Sequence, residues 1–277
     1  MNDIIKRNNV SVRGSGEQII IFAHGFGCSQ HTWSKVASDF EKDHTVVLFD
    51  YVGCGASDLT AYDEKKYSTL DGYAQDILDI CDELGISQAV LVGHSVSAMI
   101  AVIAALKEPA CFKKLVFVGP SPYFFNETGY TGGLEKEHVD GLFEMMDNNY
   151  LGWSSMMAPL IMGNADRPEL GEALTESFCA TDPAIAKKFA KVTFYSDNRA
   201  LLPLLDVESV TLQCADDMLA PGHIGTYIKE HTPYNSLVNL KATGHCPHLS
   251  APAEIIKAIR NYLKSTPVLN RPDYAQN

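Results

Sequence analysis

Three polar side chains, far apart in the chain, are of the types that nucleophilic acyl chemistry requires: Ser95, His245 and an aspartate of the Asp216-Asp217 pair. A serine hydroxyl is a weak nucleophile at neutral pH and needs an adjacent base. The usual base is a histidine whose ring is oriented by a carboxylate. Ser95 lies in Val90-Leu91-Val92-Gly93-His94-Ser95-Val96-Ser97-Ala98-Met99, where an apolar run stops at a glycine and small, apolar residues of helical character follow. Strand, sharp turn and helix is the expected local structure, which lifts the serine out of a sheet toward a cleft. That is the mechanical content of the G-x-S-x-G elbow. Here the second glycine is Ser97, the next smallest polar residue, so the motif is weakened but close strand–helix packing is expected to survive.

The base and its orienting acid must also sit just past strand ends. His245 follows the apolar segment 236–240 in Thr243-Gly244-His245, and Asp217 follows 210–214. The chain order Ser95, Asp217, His245 matches the Ser, acid, His order of α/β-hydrolases. Asp216 is adjacent and is the competing acid; if Asp217 serves, Asp216 becomes a loop cap. His248, three residues beyond His245, is the competing base. His94 is expected to pack and hydrogen-bond rather than react, and Asp50 to hold a turn. A developing oxyanion needs two backbone donors, and losing one such donor costs roughly 3 kcal/mol of transition-state stabilisation. Val96, after the nucleophile, offers the first, and Phe26 in His24-Gly25-Phe26-Gly27 the second. A plain strand-to-helix turn at 24–27 is the competing reading. The substrate pocket is expected to use Phe26, His94, Phe124 and Phe125. Met145, Trp153, Met157 and Phe194 are expected to complete it.

These groups must be carried by a sheet. Segments 18–23, 44–50, 89–94, 114–118, 210–214 and 236–240 read as strands, several of them continuous apolar runs suited to a parallel sheet covered on both faces. Helices are expected at 33–40, 67–84 (apolar stripe Tyr73, Ile77, Ile80, Cys81, Leu84, capped by Ser68 or Thr69), 98–106 and 223–230. A final helix opens at Pro252 with Ile255, Ile256, Ile259, Tyr262 and Leu263 on one face. Residues 1–17 read as a short strand or two with a turn at Gly14-Ser15-Gly16. The alternation predicts a doubly wound, mostly parallel α/β sheet, in which ligands bind at the carboxyl ends of strands.

The alternation breaks between 123 and 200, where no strand is expected and helices are predicted at 138–150, 152–161, 169–179 and 183–194. Methionines 145, 146, 156, 157 and 162 are concentrated there and suit a surface that meets apolar ligands. This insertion reads as a lid over the site, against the alternative of a bundle packed for stability alone. The organisation is then a core of residues 1–122 and 201–265, a lid of 123–200 and a frayed tail of 266–277.

Composition limits partners. The 277 residues carry a formal net charge of −12, which disfavours nucleic acid and anionic membrane surfaces. No run approaches the ~18 apolar residues of a membrane span, and Met1 to Val10 lack the apolar core of a secretory signal. Seven scattered cysteines with no C-x-x-C pair suit a reduced, cytoplasmic protein. No cofactor or metal is expected.

Five motifs together resemble one family. They are His24-Gly25-Phe26-Gly27, Phe49-Asp50-Tyr51-Val52-Gly53, Gly93-His94-Ser95-Val96, Leu212-Gln213-Cys214-Ala215-Asp216-Asp217 and Gly244-His245-Cys246-Pro247-His248-Leu249-Ser250. With Leu70-Asp71-Gly72-Tyr73-Ala74, they look like the RsbQ-type hydrolases, a group similar to the plant karrikin and strigolactone receptors. The resemblance spans about residues 4–265. It implies the α/β-hydrolase fold, the acid role for Asp217 and oxyanion amides at Phe26 and Val96. It also implies a small hydrophobic ester or lactone-like substrate, and a place in bacterial general stress (sigma-B) signalling beside an RsbP-like PP2C phosphatase with a PAS sensor. The competing reading is a metabolic carboxylesterase or lactonase without a signalling role. A non-catalytic binding module on the same fold would be marked by a broken triad, and none is visible.

Overall fold

The computed structural model describes residues 3–265; the tail assigned to 266–277 lies outside the described residues. In chain order the elements begin with α1 (Ile4–Arg7), β1 (Ser11–Arg13), β2 (Ile19–Ala23), α2 (Ser34–Phe40) and β3 (Thr45–Leu48). α3 (Leu70–Glu83), β4 (Ala89–His94), α4 (Val96–Lys107) and β5 (Phe112–Val118) follow. Four helices come next: α5 (Lys136–Asn148), α6 (Tyr150–Met162), α7 (Pro168–Cys179) and α8 (Pro183–Tyr195). The chain closes with β6 (Ser209–Gln213), α9 (Gly222–His231), β7 (Asn235–Asn239), α10 (Pro247–Ser250) and α11 (Pro252–Lys264).

The strands form one seven-stranded sheet in the order β1-β3-β2-β4-β5-β6-β7, parallel throughout except for antiparallel β1 against β3. This is an α/β-hydrolase fold. Its inner strands, β2 to β6, bury both faces, as apolar runs in a parallel sheet require. Ile20, Phe22, Val90, Val92, Val116 and Val118 face α2 and α11, while Ile21, Ala23, Leu91, Leu115 and Phe117 face α3 and α4. The period-2 alternation of side chains divides each strand between two cores. β4 lies at the centre of the sheet, with Ala23 of β2 beside Gly93 and Val118 of β5 beside His94. The elbow therefore leaves the central, fully buried strand at its carboxyl end.

Two expectations are corrected here. Among the described residues 3–17 one strand forms as expected, but a helical turn, α1, precedes it, and its N-cap Asp3 accepts a hydrogen bond from the Lys6 amide. Four residues are too short for apolar periodicity to reveal. Secondly, α3 starts at Leu70 with Thr69 at its N-cap, but no side chain caps it; the Thr69 hydroxyl lies 3.5 Å from the Asp71 carboxylate. Between β5 and the 3₁₀ turn that precedes β6, the described chain has isolated bridges only, such as Phe125 with Leu134, and the four helices α5 to α8.

Candidate active site

Ser95 is the hinge between β4 and α4, with φ 55° and ψ −122°. A positive φ is costly for a residue with a Cβ, and such strain concentrates at functional turns. Here it is held by a hydrogen bond from the Ser95 amide to the Val118 carbonyl, 2.8 Å. Gly93 lets the turn close: a Cβ there would stand 2.4 Å from the Ser97 carbonyl oxygen. The first glycine of the motif thus serves the tight strand–helix approach, and Ser97, in the second position, is fully buried.

His245 and Asp217 converge on this serine. The Ser95 hydroxyl donates to His245 Nε2 across 2.7 Å. His245 Nδ1–H donates to Asp217, with 2.8 Å to Oδ2 and 3.0 Å to Oδ1. Asp217 Oδ1 also accepts from the Leu219 and Ala220 amides at 2.9 and 3.0 Å. All three residues are buried. Burial works against ionisation of Asp217, but the imidazole charge and these hydrogen bonds together hold its carboxyl below the usual range. A carboxylate on Nδ1 fixes the tautomer that leaves Nε2 bare to accept the serine proton.

The loop that carries His245 is built against α6. The His245 amide donates to the Ile161 carbonyl at 3.0 Å, and the Gly244 amide to the Asp216 carbonyl at 2.6 Å. Gly244 has φ +79°, and a Cβ there would overlap the Met162 carbonyl oxygen at 1.8 Å, so only glycine fits. Asp216 thus shapes this loop through its main chain, while its neighbour holds the imidazole. His248 does not reach Ser95. It is fully buried, stacks on Trp33 at 4.4 Å between ring centroids and lies 4.4 Å from the His94 ring. Burial, followed by the neighbouring histidines, pushes its pKa well down.

On the other side of Ser95 lies the loop after β2. A Cβ on Gly25 would stand 2.5 Å from His94 Nδ1, so the loop passes close against the elbow. The loop is fixed from several directions. The Asp50 carboxylate accepts from the Gln30 amide at 2.7 Å, the Asn9 side chain at 2.8 Å and the Ala56 amide at 2.9 Å, which makes Asp50 the tie between two turns. Ser177 of α7 donates to the Gly27 carbonyl at 2.8 Å. The amides of Phe26 and Val96 take part in no hydrogen bond among the described residues.

Ser95 and His245 open into a chamber of about 80 Å³ roofed by α5 to α8. Of the expected wall residues, Phe26, His94, Phe124, Trp153, Met157 and Phe194 line it. Phe125 and Met145 do not. Phe125 is buried beneath the roof against the rings of Tyr123 and Tyr195, 5.6 and 5.2 Å away. Met145 is 45% exposed on the outer side of α5. Its neighbour Met146 lines the chamber, with Val139, Leu142 and Phe143, at helical spacing on one face. That stripe was available in the sequence. Ile161 likewise extends the Trp153, Met157 stripe by one turn, and Leu174 and Phe178 are four residues apart on α7. Cys28, Thr193, Met218, Leu219 and Cys246 also line the wall, and no local pattern marks them. Among the described residues, no Asp, Glu, Lys or Arg lines the chamber.

A central parallel sheet, a strained serine at the carboxyl end of its middle strand and a histidine–carboxylate pair on two later loops define a class of protein. The chain belongs to the alpha/beta hydrolase family, whose match spans residues 20–258. Among its relatives, strigolactone esterase D14 of Arabidopsis thaliana is 37% identical over 263 residues, covering 95% of this chain and 98% of that protein. Karrikin insensitive 2 receptor CA of Petunia hybrida is 36% identical over 264 residues, covering 95% and 98%. Among solved structures, a hydrolase from Oleispira antarctica superimposes with a TM-score of 0.93 at 40% identity, covering 95% of this chain and 97% of that one.

Proposed function

We propose that the protein is a serine hydrolase that cleaves a small, uncharged, hydrophobic ester or lactone. The observation that carries this reading is the unbroken hydrogen-bond chain Ser95–His245–Asp217 opening into an apolar chamber. In the reaction His245 Nε2 takes the Ser95 proton as Oγ attacks the ester carbonyl. The tetrahedral oxyanion is held by the amides of Phe26 and Val96. Collapse breaks the ester C–O bond, and His245 returns the proton to the leaving alcohol, which in a lactone remains tethered to the acyl group. Water, deprotonated by the same imidazole, then attacks the acyl carbonyl; the acyl–Oγ bond breaks, His245 returns the proton to Ser95 Oγ and the acid leaves. Asp217 keeps the imidazole in the required tautomer and stabilises its charge.

On this reading residues 123–200 act as the lid over a core of 1–122 and 201–265, because helices α5 to α8 roof the chamber. The seven free cysteines support a reducing, cytoplasmic setting. The names of the relatives support an esterase. The sequence motifs also support an RsbQ-type role, in which the product or the occupied lid is a signal read by a PP2C phosphatase with a PAS sensor.

The test is hydrolysis of p-nitrophenyl acetate and butyrate, with fluorophosphonate labelling followed by peptide mass analysis. We expect turnover and one adduct on Ser95, both lost in Ser95→Ala. A wild-type protein that neither turns over ester nor takes the label overturns the reading. For the signalling role, the expected result is slow turnover with specific capture of such a phosphatase. Fast, broad turnover with no phosphatase bound favours a metabolic carboxylesterase.

A further inference from the structure

Ser97 occupies the position where the elbow motif has its second glycine, and its hydroxyl does what glycine cannot. The Ser97 Oγ–H donates to the main-chain carbonyl of His24, 73 residues away in the chain. The Tyr51 hydroxyl lies 2.9 Å from the same Oγ. A carbonyl has no proton to give, so Ser97 spends its proton on His24 and Tyr51 must be the donor to Ser97. Tyr51 is fully buried, and burial above all raises its pKa, which keeps its phenol protonated for that task. His24 is held at its other end as well, since the Tyr51 amide donates to its Nε2 at 3.3 Å.

This small knot lies between the two segments that carry the oxyanion amides. Ser97 is the residue after Val96, and the His24 carbonyl is one residue upstream of the Gly25–Phe26 peptide that bears the other N–H. The β2–β4 ladder pairs the two strands as far as Ala23 and Gly93. Past those residues β2 leaves the sheet and β4 stays paired only with β5 through His94, so the Ser97 bridge takes over where the β2–β4 ladder stops. We propose that Ser97 is a positioning residue that sets the gap between the Phe26 and Val96 amides, and so tunes oxyanion stabilisation in this elbow. The inference rests on the serine-hydrolase reading above. The physical basis is that such donors act only when about 2.7–3.1 Å from the developing oxyanion, and a misplacement of about 1 Å can cost roughly a hundredfold.

The test compares Ser97→Ala and Ser97→Gly with wild type. Both remove the hydroxyl; the second also restores the usual elbow glycine, and serves if the alanine variant folds poorly. We expect kcat for a p-nitrophenyl ester to fall about tenfold or more in each with KM nearly unchanged, an order of magnitude consistent with partial loss of one donor. Affinity for an arylboronic acid, which forms a tetrahedral adduct on Ser95, should weaken by a similar factor. Affinity for a planar, unreactive ketone of the same shape should hold. Either variant folding with unchanged kcat and boronate affinity overturns the proposal, and so does a parallel loss of ketone and boronate binding, which marks a general structural defect. A wild-type enzyme with no turnover and no Ser95 adduct instead overturns the underlying hydrolase reading.

Discussion

The ring of His94 donates through Nε2–H to the main-chain carbonyl of His245, 2.8 Å away, so the residue before the nucleophile holds the backbone of the proposed base. The two rings lie 5.0 Å apart between centroids. Phenylalanine at 94 would keep an aromatic ring there and remove the donor. His94→Phe should therefore leave the His245 carbonyl unpaired in a buried site, at a cost of about 1–3 kcal/mol in stability. Thermal or urea unfolding checks this, and ester turnover should fall with it as the His245 loop loosens.

Acid should destabilise the fold through His94 and its buried neighbours His24 and His248. His94 is pushed down to about 3, first by burial and then by the charge of His245, and His24 and His248 are also lowered by burial. The groups facing His94 are His24, His245, His248 and the Asp217 carboxylate, whose attraction only partly offsets the burial. Each lowered histidine stays neutral when folded but takes up a proton when unfolded. The unfolded chain thus binds more protons below the ordinary histidine pKa near 6.5, and stability falls as pH falls from there toward 3. The slope is about 1.4 kcal/mol per pH unit for each such histidine. Urea melts at pH 7, 6, 5 and 4 should show a steepening loss. His94→Phe should reduce that slope by about one proton; an unchanged slope would refute the assignment.

The two adjacent aspartates should separate cleanly. Asp217→Asn removes the charge that fixes the His245 tautomer and should lower kcat by about 10³–10⁴-fold. Asp216→Asn should leave kcat within about twofold, since Asp216 contributes its main-chain carbonyl. Kinetics of both variants on one ester settle which carboxylate serves.

Chamber size should govern acyl length. Leu142 lines the wall from α5, and Leu142→Ala should shift preference toward longer acyl esters, with about 0.8 kcal/mol for each methylene group that finds room. Met145→Ala, three residues further along and on the outer face, should leave the chain-length profile unchanged. A p-nitrophenyl ester series from acetate to octanoate reads both.

The elbow was legible because its signal is local: an apolar strand, a glycine and a serine within six residues. The sheet was legible because strands buried on both faces become continuous apolar runs. What sequence reasoning missed lies where contacts are distant or pattern-free. Met145 and Met146 differ only by the turn of α5, and the stripe Val139, Leu142, Phe143, Met146 decides between them. Phe124 and Phe125 sit in irregular chain, where no period assigns a side to either. The hold of α6 on the His245 loop joins residues far apart in the chain, and nothing near Ile161 in sequence announces it.

That hold has a consequence for how a ligand gets in. The carboxyl end of α6 cannot lift without dragging His245, nor can α7 move without pulling on Gly27 through Ser177. α8 is anchored deeper, with Phe189 stacked on Tyr73 at 4.2 Å. α5 is different: its inward side chains, Val139, Leu142, Phe143 and Met146, all face the void, and its polar ties, such as Lys136 to Asp140 and Tyr195 to Asp140, lie at the exposed surface, where such pairs contribute little. On the lid reading, we expect admission at α5, whose outward swing would leave the hydroxyl, imidazole and carboxylate aligned and would cost only the packing of its apolar face, such as Phe143 against Phe194 and Tyr195.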